Sequence, residues 1–175
     1  VFLGYENKQL MSDMTDWYDC RTPWRYRTKN KGTDEIHNMC VNLIGATTPD
    51  LIAELMPSIA VGGGLTSRMI FVYADKRGKK IADPRKTKAE KALKQELLTD
   101  LNRIYNISGE FGPTEDWMER WVPWYENEAN TSRGLDDRFA GYISRRATHL
   151  QKLCFVYSAA RGSDRYFNKE DFDRA

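Results

Sequence analysis

Residues Cys40–Asp75 read CVNLIGATTPDLIAELMPSIAVGGGLTSRMIFVYAD, and the fold turns on how this stretch is understood. It opens on an apolar run, Val41-Asn42-Leu43-Ile44, and reaches a small polar corner at Gly45-Ala46-Thr47-Thr48. Thr48 is placed to cap a helix whose first position is Pro49, where a missing N–H costs nothing. That helix should run from Asp50 to about Met56 and stop at Pro57. A glycine-rich bend, Gly62-Gly63-Gly64, leads through Leu65-Thr66-Ser67-Arg68 into a second apolar run, Met69–Ala74. Both runs are short, nearly continuous in apolar character and flanked by turn signals, as expected of strands buried on both faces. Strand, helix, strand in this order predicts a parallel pair. A ligand of such a sheet sits beyond the carboxyl ends of the strands, where Thr47 and Thr48 would lie.

Working outward, 175 residues leave room for one domain or one and a half small ones. An apolar share of 41% and an aromatic share of 12% belong to a packed chain, not to a disordered one. Net charge is only +2, so the total argues neither for nor against nucleic acid. Its distribution is uneven: Lys76–Lys94 holds nine Lys or Arg against Asp83 and Glu90. Cys20, Cys40 and Cys154 form no C-x-x-C pair, and with only His37 and His149 nothing has zinc spacing. These features predict a reducing, cytoplasmic setting. No apolar stretch approaches the roughly 20 residues that span a bilayer, and no signal peptide is present. The chain starts at Val1, within what reads as structured sequence, which suggests a fragment of a longer protein.

Upstream of the central stretch, Leu10, Met14, Trp17 and Tyr18 recur at helical spacing and predict a helix from about Asn7 to Tyr18. Trp24–Thr28 alternates aromatic and basic residues, Asn30-Lys31-Gly32 supplies a turn, and Ile36 lies on the return strand. In such a hairpin Arg25 and Arg27 share one face and Trp24 and Tyr26 the other. Basic residues interleaved with aromatics suit phosphate contact and base stacking, which makes Trp24, Arg25, Arg27 and Lys29 candidate nucleic-acid contacts. The plainer alternative is an amphipathic hairpin that packs its aromatics on the core.

Downstream, Thr87 with Glu90 forms a capping box and starts a helix that reaches about Tyr105, with Leu93, Leu97, Leu101 and Ile104 on one face. Thr114 can cap another helix carrying Trp117, Trp121 and Trp124, which Pro123 should kink or break. A long helix is expected from about Leu135 to Ala160, ended by Gly162. On its far side Arg138, Arg145, His149 and Lys152 fall within about 60° of one another. Asn168, with Asp171 three residues on, caps a last helix.

Gly-Ala-Thr-Thr-Pro at 45–49 and Gly-Gly-Gly-Leu-Thr-Ser-Arg-Met-Ile-Phe-Val-Tyr at 62–73 resemble the primase/helicase-like P-loop ATPases of phages, prophages and plasmids. Tyr142–Leu153 and the tail to Ala175 resemble the helical lid of the same proteins. The pattern is distantly similar to the AAA+ motor of minichromosome maintenance helicases. This resemblance implies an α/β, mostly helical fold: the carboxyl-terminal part of a P-loop (AAA+/RecA-like) ATPase core with a short parallel sheet over residues 1–80, then a helical lid bundle over 81–175. It implies that Thr47 or Thr48 is the first sensor, orienting water against a terminal phosphate. Arg68 would be the arginine finger, directed outward at a neighbouring subunit's nucleotide, where such a charge is worth about 10³–10⁵ in rate. Arg145 would be the second sensor, with Lys152 beside it as a further cofactor contact. The implied cofactors are ATP and Mg²⁺ in the full-length protein, and the implied partners are single-stranded or forked DNA and further subunits in a ring, a hexamer.

The departures are informative. A phosphate-gripping loop needs G-x-x-x-x-G-K-[ST], and Gly62–Ser67 has glycines but no lysine beside its Ser or Thr. No apolar strand ending in Asp-Glu is present to hold magnesium. The chain is therefore expected to carry sensor, finger and lid without the grip, to bind no cofactor of its own and to leave ATP intact when alone. Two further readings stay open. One is a non-catalytic helical module that docks on DNA or replication proteins through Trp24, Arg25 and the Lys76–Lys94 region. The other is a domain whose glycine-rich bend is only a tight connection.

Overall fold

The computed structural model describes residues 8–28, 32–55, 64–76, 78, 80–83, 85–131 and 140–175. Helices dominate, with two short two-stranded sheets. The chain divides into two compact units. The first comprises Val1–Ile70 with Leu135–Arg145, the second Phe71–Gly134 with Arg146–Ala175.

In the first unit, α1 (Lys8–Tyr18) is the amphipathic helix its periodicity predicts. Met11 is its buried residue and packs with Leu65, Met14 and Met69 in a small apolar cluster. β1 (Trp24–Thr28) and β2 (Gly32–Ile36) form the expected antiparallel hairpin, with Trp24 opposite Ile36 and Arg25 opposite Glu35. α2 (Pro49–Leu55) starts where Pro49 predicts, and the Leu51 N–H donates to Thr48 Oγ1 at 3.4 Å. Pro57 and the first two glycines of the bend lie outside the described residues. Beyond them, Thr66–Arg68 is a 3₁₀ turn, and Ala140–Ile143 forms the short helix α5.

The expected strands at 41–44 and 69–74 do not form, and the parallel pair between them is corrected. A buried parallel strand needs ladder partners and cover on both faces. Among the described residues neither run has a ladder partner, and Ile44 and Val72 are 98% and 90% exposed.

In the second unit, α3 (Lys88–Tyr105) begins at the Thr87–Glu90 capping box, with both reciprocal hydrogen bonds made. Leu93, Leu97 and Leu101 lie along it, each more than half exposed. The parallel pairing of this fold is here: β3 (Gly112–Pro113) against β4 (Tyr166–Phe167). α4 (Glu115–Thr131) continues through Pro123 instead of breaking. Proline removes one rung of the backbone ladder, but Trp117 stacks on Trp121 at 5.0 Å and Trp121 on Tyr125 at 5.2 Å, which ties adjacent turns together. Trp117, Cys154 and Phe167 are the buried core, with Phe111, Trp121, Leu150 and Phe172 around them.

The predicted long helix is two pieces, α5 in the first unit and α6 (Arg146–Arg161) in the second. The break has a local cause. Ser144 Oγ donates to the Gly141 carbonyl at 2.9 Å and the Arg145 N–H to the Tyr142 carbonyl at 3.0 Å, bonds that compete with helix continuation. The last helix, α7 (Lys169–Arg174), has the full Asn168–Asp171 capping box. Asp171 is almost wholly buried and also accepts from Arg161 at 3.1 and 3.3 Å. Among the described residues, no helix is long and apolar enough to cross a membrane.

Candidate functional site

The first unit gathers two distant arginines on one carboxylate at the end of α1. Arg68 Nη2 donates to Asp19 Oδ2 at 2.8 Å, and Arg145 Nη1 to Asp19 Oδ1 at 3.4 Å. Tyr18 supplies the apolar floor: its ring centroid lies 5.8 Å from Arg68 Cζ and 6.0 Å from Arg145 Cζ, within cation–π range. The 3₁₀ turn positions Arg68, whose Nη1 also donates to the Gly64 carbonyl at 2.9 Å. Gly64 adopts φ +81°, and a Cβ there would press on Arg68 Nη1 at 2.9 Å, so glycine is required for the bend to hold this arginine. Gly141 in α5 allows close approach in the same way, its Cβ position 3.4 Å from Ser67 Cβ.

Electrostatics follow from this geometry. Burial alone would raise the Asp19 carboxyl. The hydrogen bond from Arg68 and the charges of Arg68, Arg145 and Arg21 outweigh it and hold the group below the ordinary carboxylate value. Burial raises the Tyr18 hydroxyl, so it stays neutral near pH 7. Two guanidiniums share one acid, which leaves a positive excess and fork-shaped donors suited to a second oxyanion. Arg68 Nε is buried without a hydrogen-bond partner among the described residues.

The expected finger geometry is corrected by this arrangement. The Arg68 side chain is only 11% exposed and turned inward to Asp19, not outward to a neighbouring subunit. A guanidinium that gains a carboxylate, a carbonyl and an aromatic face within its own unit has no reason to point at solvent. Thr47 and Thr48 end no strand; both are exposed, and the Thr48 hydroxyl is engaged as the α2 cap. The single helix expected to carry both Arg145 and Lys152 does not form: Arg145 lies between α5 and α6, and Lys152 lies within α6. His149, expected on an exposed stripe, is buried. Arg138 lies outside the described residues.

On the hairpin, Trp24 stacks with Tyr26 and meets Trp17 of α1 edge-on at 5.6 Å, so its ring is packed against the helix. Arg25 pairs directly across the strands with Glu35 at 2.6 Å. Arg27 is exposed opposite Thr33, and Lys29 lies outside the described residues. Two of the four candidate nucleic-acid contacts thus have intramolecular partners.

Asp19 is the residue that sequence reasoning missed. It stands 49 positions from Arg68 and 126 from Arg145, and no periodic or capping signal links positions so far apart. The sequence has no G-x-x-x-x-G-K-[ST] loop to grip a nucleotide's phosphates. Among the described residues no group of three or more His, Cys, Asp or Glu is placed to hold a metal. No protein family, curated protein or solved structure matches the chain.

Proposed function

We propose that this chain is part of a DNA-replication ATPase of the primase-helicase-like kind found in phages and mobile elements, and that Arg68 and Arg145 are its contacts to the phosphates of ATP. One observation carries the reading: the two arginines that the resemblance assigns to nucleotide converge on a single carboxylate. The inward turn of Arg68 counts against a preformed finger. In this proposal Asp19 occupies the pair in the absence of nucleotide, and a polyphosphate, carrying more charge than one carboxylate, displaces it. ATP is gripped and Mg²⁺ held by groups this chain does not supply, and DNA unwinding in a ring belongs to the whole assembly.

Calorimetric titration of Mg·ATP into the chain tests this. Binding weakened about tenfold by Arg68→Ala and by Arg145→Ala, the loss of one charge-assisted contact each, supports the proposal. Affinity unchanged in both variants contradicts it. The chain alone should release no phosphate; turnover abolished by Arg68→Ala would contradict that part. The second reading, a non-catalytic helical module docking on DNA or replication proteins, is favoured by the exposed Leu93, Leu97 and Leu101. It predicts DNA or protein binding with no response to ATP.

A further inference from the structure

A second cationic site lies wholly within the second unit, at the carboxyl ends of α3 and α6. Arg103, Asn106, Ile107, Ser108, Ser163 and Arg165 line a pocket of about 310 Å³ in which Ile107 is the only apolar side chain. Arg103 Nη1 donates to the carbonyls of Ala159 at 3.1 Å and Gly162 at 2.8 Å and to Ser163 Oγ at 3.3 Å, while Nη2 donates to the Ala160 carbonyl. These carbonyls fix the guanidinium, and the partial negative charge of the helix end offsets part of its charge, which leaves Arg165 as the uncompensated cation. The carboxylate within reach is Asp100, 3.9 Å from Arg103 Nε.

Arg165 is placed at a conformational cost. It adopts φ +61°, a left-handed backbone uncommon outside glycine. Gly109, at φ +110°, gives up its side chain to the same guanidinium, because a Cβ there would collide with Arg165 Nη1. The return for both is one hydrogen bond, Nη1 to the Ser108 carbonyl at 3.2 Å. Among the described residues Arg165 has no carboxylate partner, and most of its five N–H donors have no acceptor there. One strained residue and one glycine thus hold an uncompensated guanidinium at the rim of a polar pocket.

We infer that this pocket binds a phosphate of a single-stranded nucleic-acid backbone. Arg103 and Arg165 supply the charge, and the Ser108 and Ser163 hydroxyls supply further polar contacts. Tyr105, immediately before Asn106, is 88% exposed, an unpacked ring beside the pocket on which a base can stack. The exposed Lys88 and Lys91 lie in the first turn of α3, roughly 18–22 Å along its axis from Arg103 at ~1.5 Å per residue. The site stands apart from Asp19, so its failure leaves the nucleotide proposal untouched.

Fluorescence anisotropy of a labelled oligothymidylate of about 15 nucleotides tests the site across a salt series. Arg165→Asn removes the charge and keeps a residue that tolerates the left-handed backbone. Ser108→Asp places a negative charge in the pocket at an exposed position whose side chain makes no hydrogen bond among the described residues. Each variant should weaken binding five- to tenfold, and Arg165→Asn should flatten the slope of log K against log salt by about 0.7. Circular dichroism should show both variants folded. Wild-type affinity and slope in both folded variants overturn the inference, as does no binding by the wild type. Inorganic phosphate or ATP that binds in an Arg165-dependent way, while oligothymidylate binding ignores Arg165, overturns the nucleic-acid assignment in favour of a free anion.

Discussion

The two units are held together by different physics. The second buries aromatic surface: Trp117 meets Trp121, Phe167 and Phe172 at 5.0 to 6.0 Å between centroids, and its indole N–H finds Cys154 Sγ at 3.4 Å. The first has a thin apolar cluster, Met11 and Leu65 with two more methionine side chains, and relies on Asp19 to tie the end of α1, the 3₁₀ turn and Arg145 together. Apolar burial has no charge to screen or titrate, whereas an ion-pair junction responds to both salt and pH. A unit joined through charge can be opened by a competing anion, and one joined through tryptophan cannot.

The strongest blow to the contrast is Trp117→Ala. It should destabilise the second unit by about 3–5 kcal/mol, read by chemical denaturation. A loss below about 1 kcal/mol would mean that the aromatic cluster does not carry this unit. Next is Asp171→Ala, which strips the α7 capping box and leaves Arg161 without its buried partner, at a cost of about 3 kcal/mol. The same denaturation curves measure it.

Asp19→Asn should cost the first unit about 1–2 kcal/mol, because the amide still accepts a hydrogen bond but no longer carries charge. Its pH signature sharpens the contrast. The Asp19 carboxyl lies below its ordinary value of 3.8 in the folded chain. Its contribution is therefore full above that value and lost as pH falls through the depressed one. Wild type should show this acid-linked loss, and Asp19→Asn should lack it; parallel acid profiles would refute the junction. The smallest effect is Thr87→Ala, about 1 kcal/mol of helix stability, seen as reduced helicity of α3 by circular dichroism.

What was legible in the sequence was local. Capping boxes at Thr87–Glu90 and Asn168–Asp171, Pro49 after Thr48, and the alternation at Trp24–Thr28 each place their chemistry within a few residues, and each element forms. Val41–Ile44 and Met69–Ala74 were misread because apolar content states a need for burial without supplying the ladder partner. The helix break at Ser144–Arg145 was hidden for a different reason: a serine bonding back to Gly141 leaves the apolar period intact. As for the site, Arg68 and Arg145 were legible through resemblance alone. Asp19, which joins them, was not legible at all, since the pairing exists only once α1 and the glycine bend are folded.

The account depends on Asp19 standing where phosphate would go. Titrating Mg·ATP into Asp19→Asn is the most direct test, because the variant frees both arginines without removing either. The account predicts affinity about tenfold tighter than wild type, with the gain abolished by adding Arg145→Ala. Affinity equal to or weaker than wild type, in a folded Asp19→Asn protein, would contradict it.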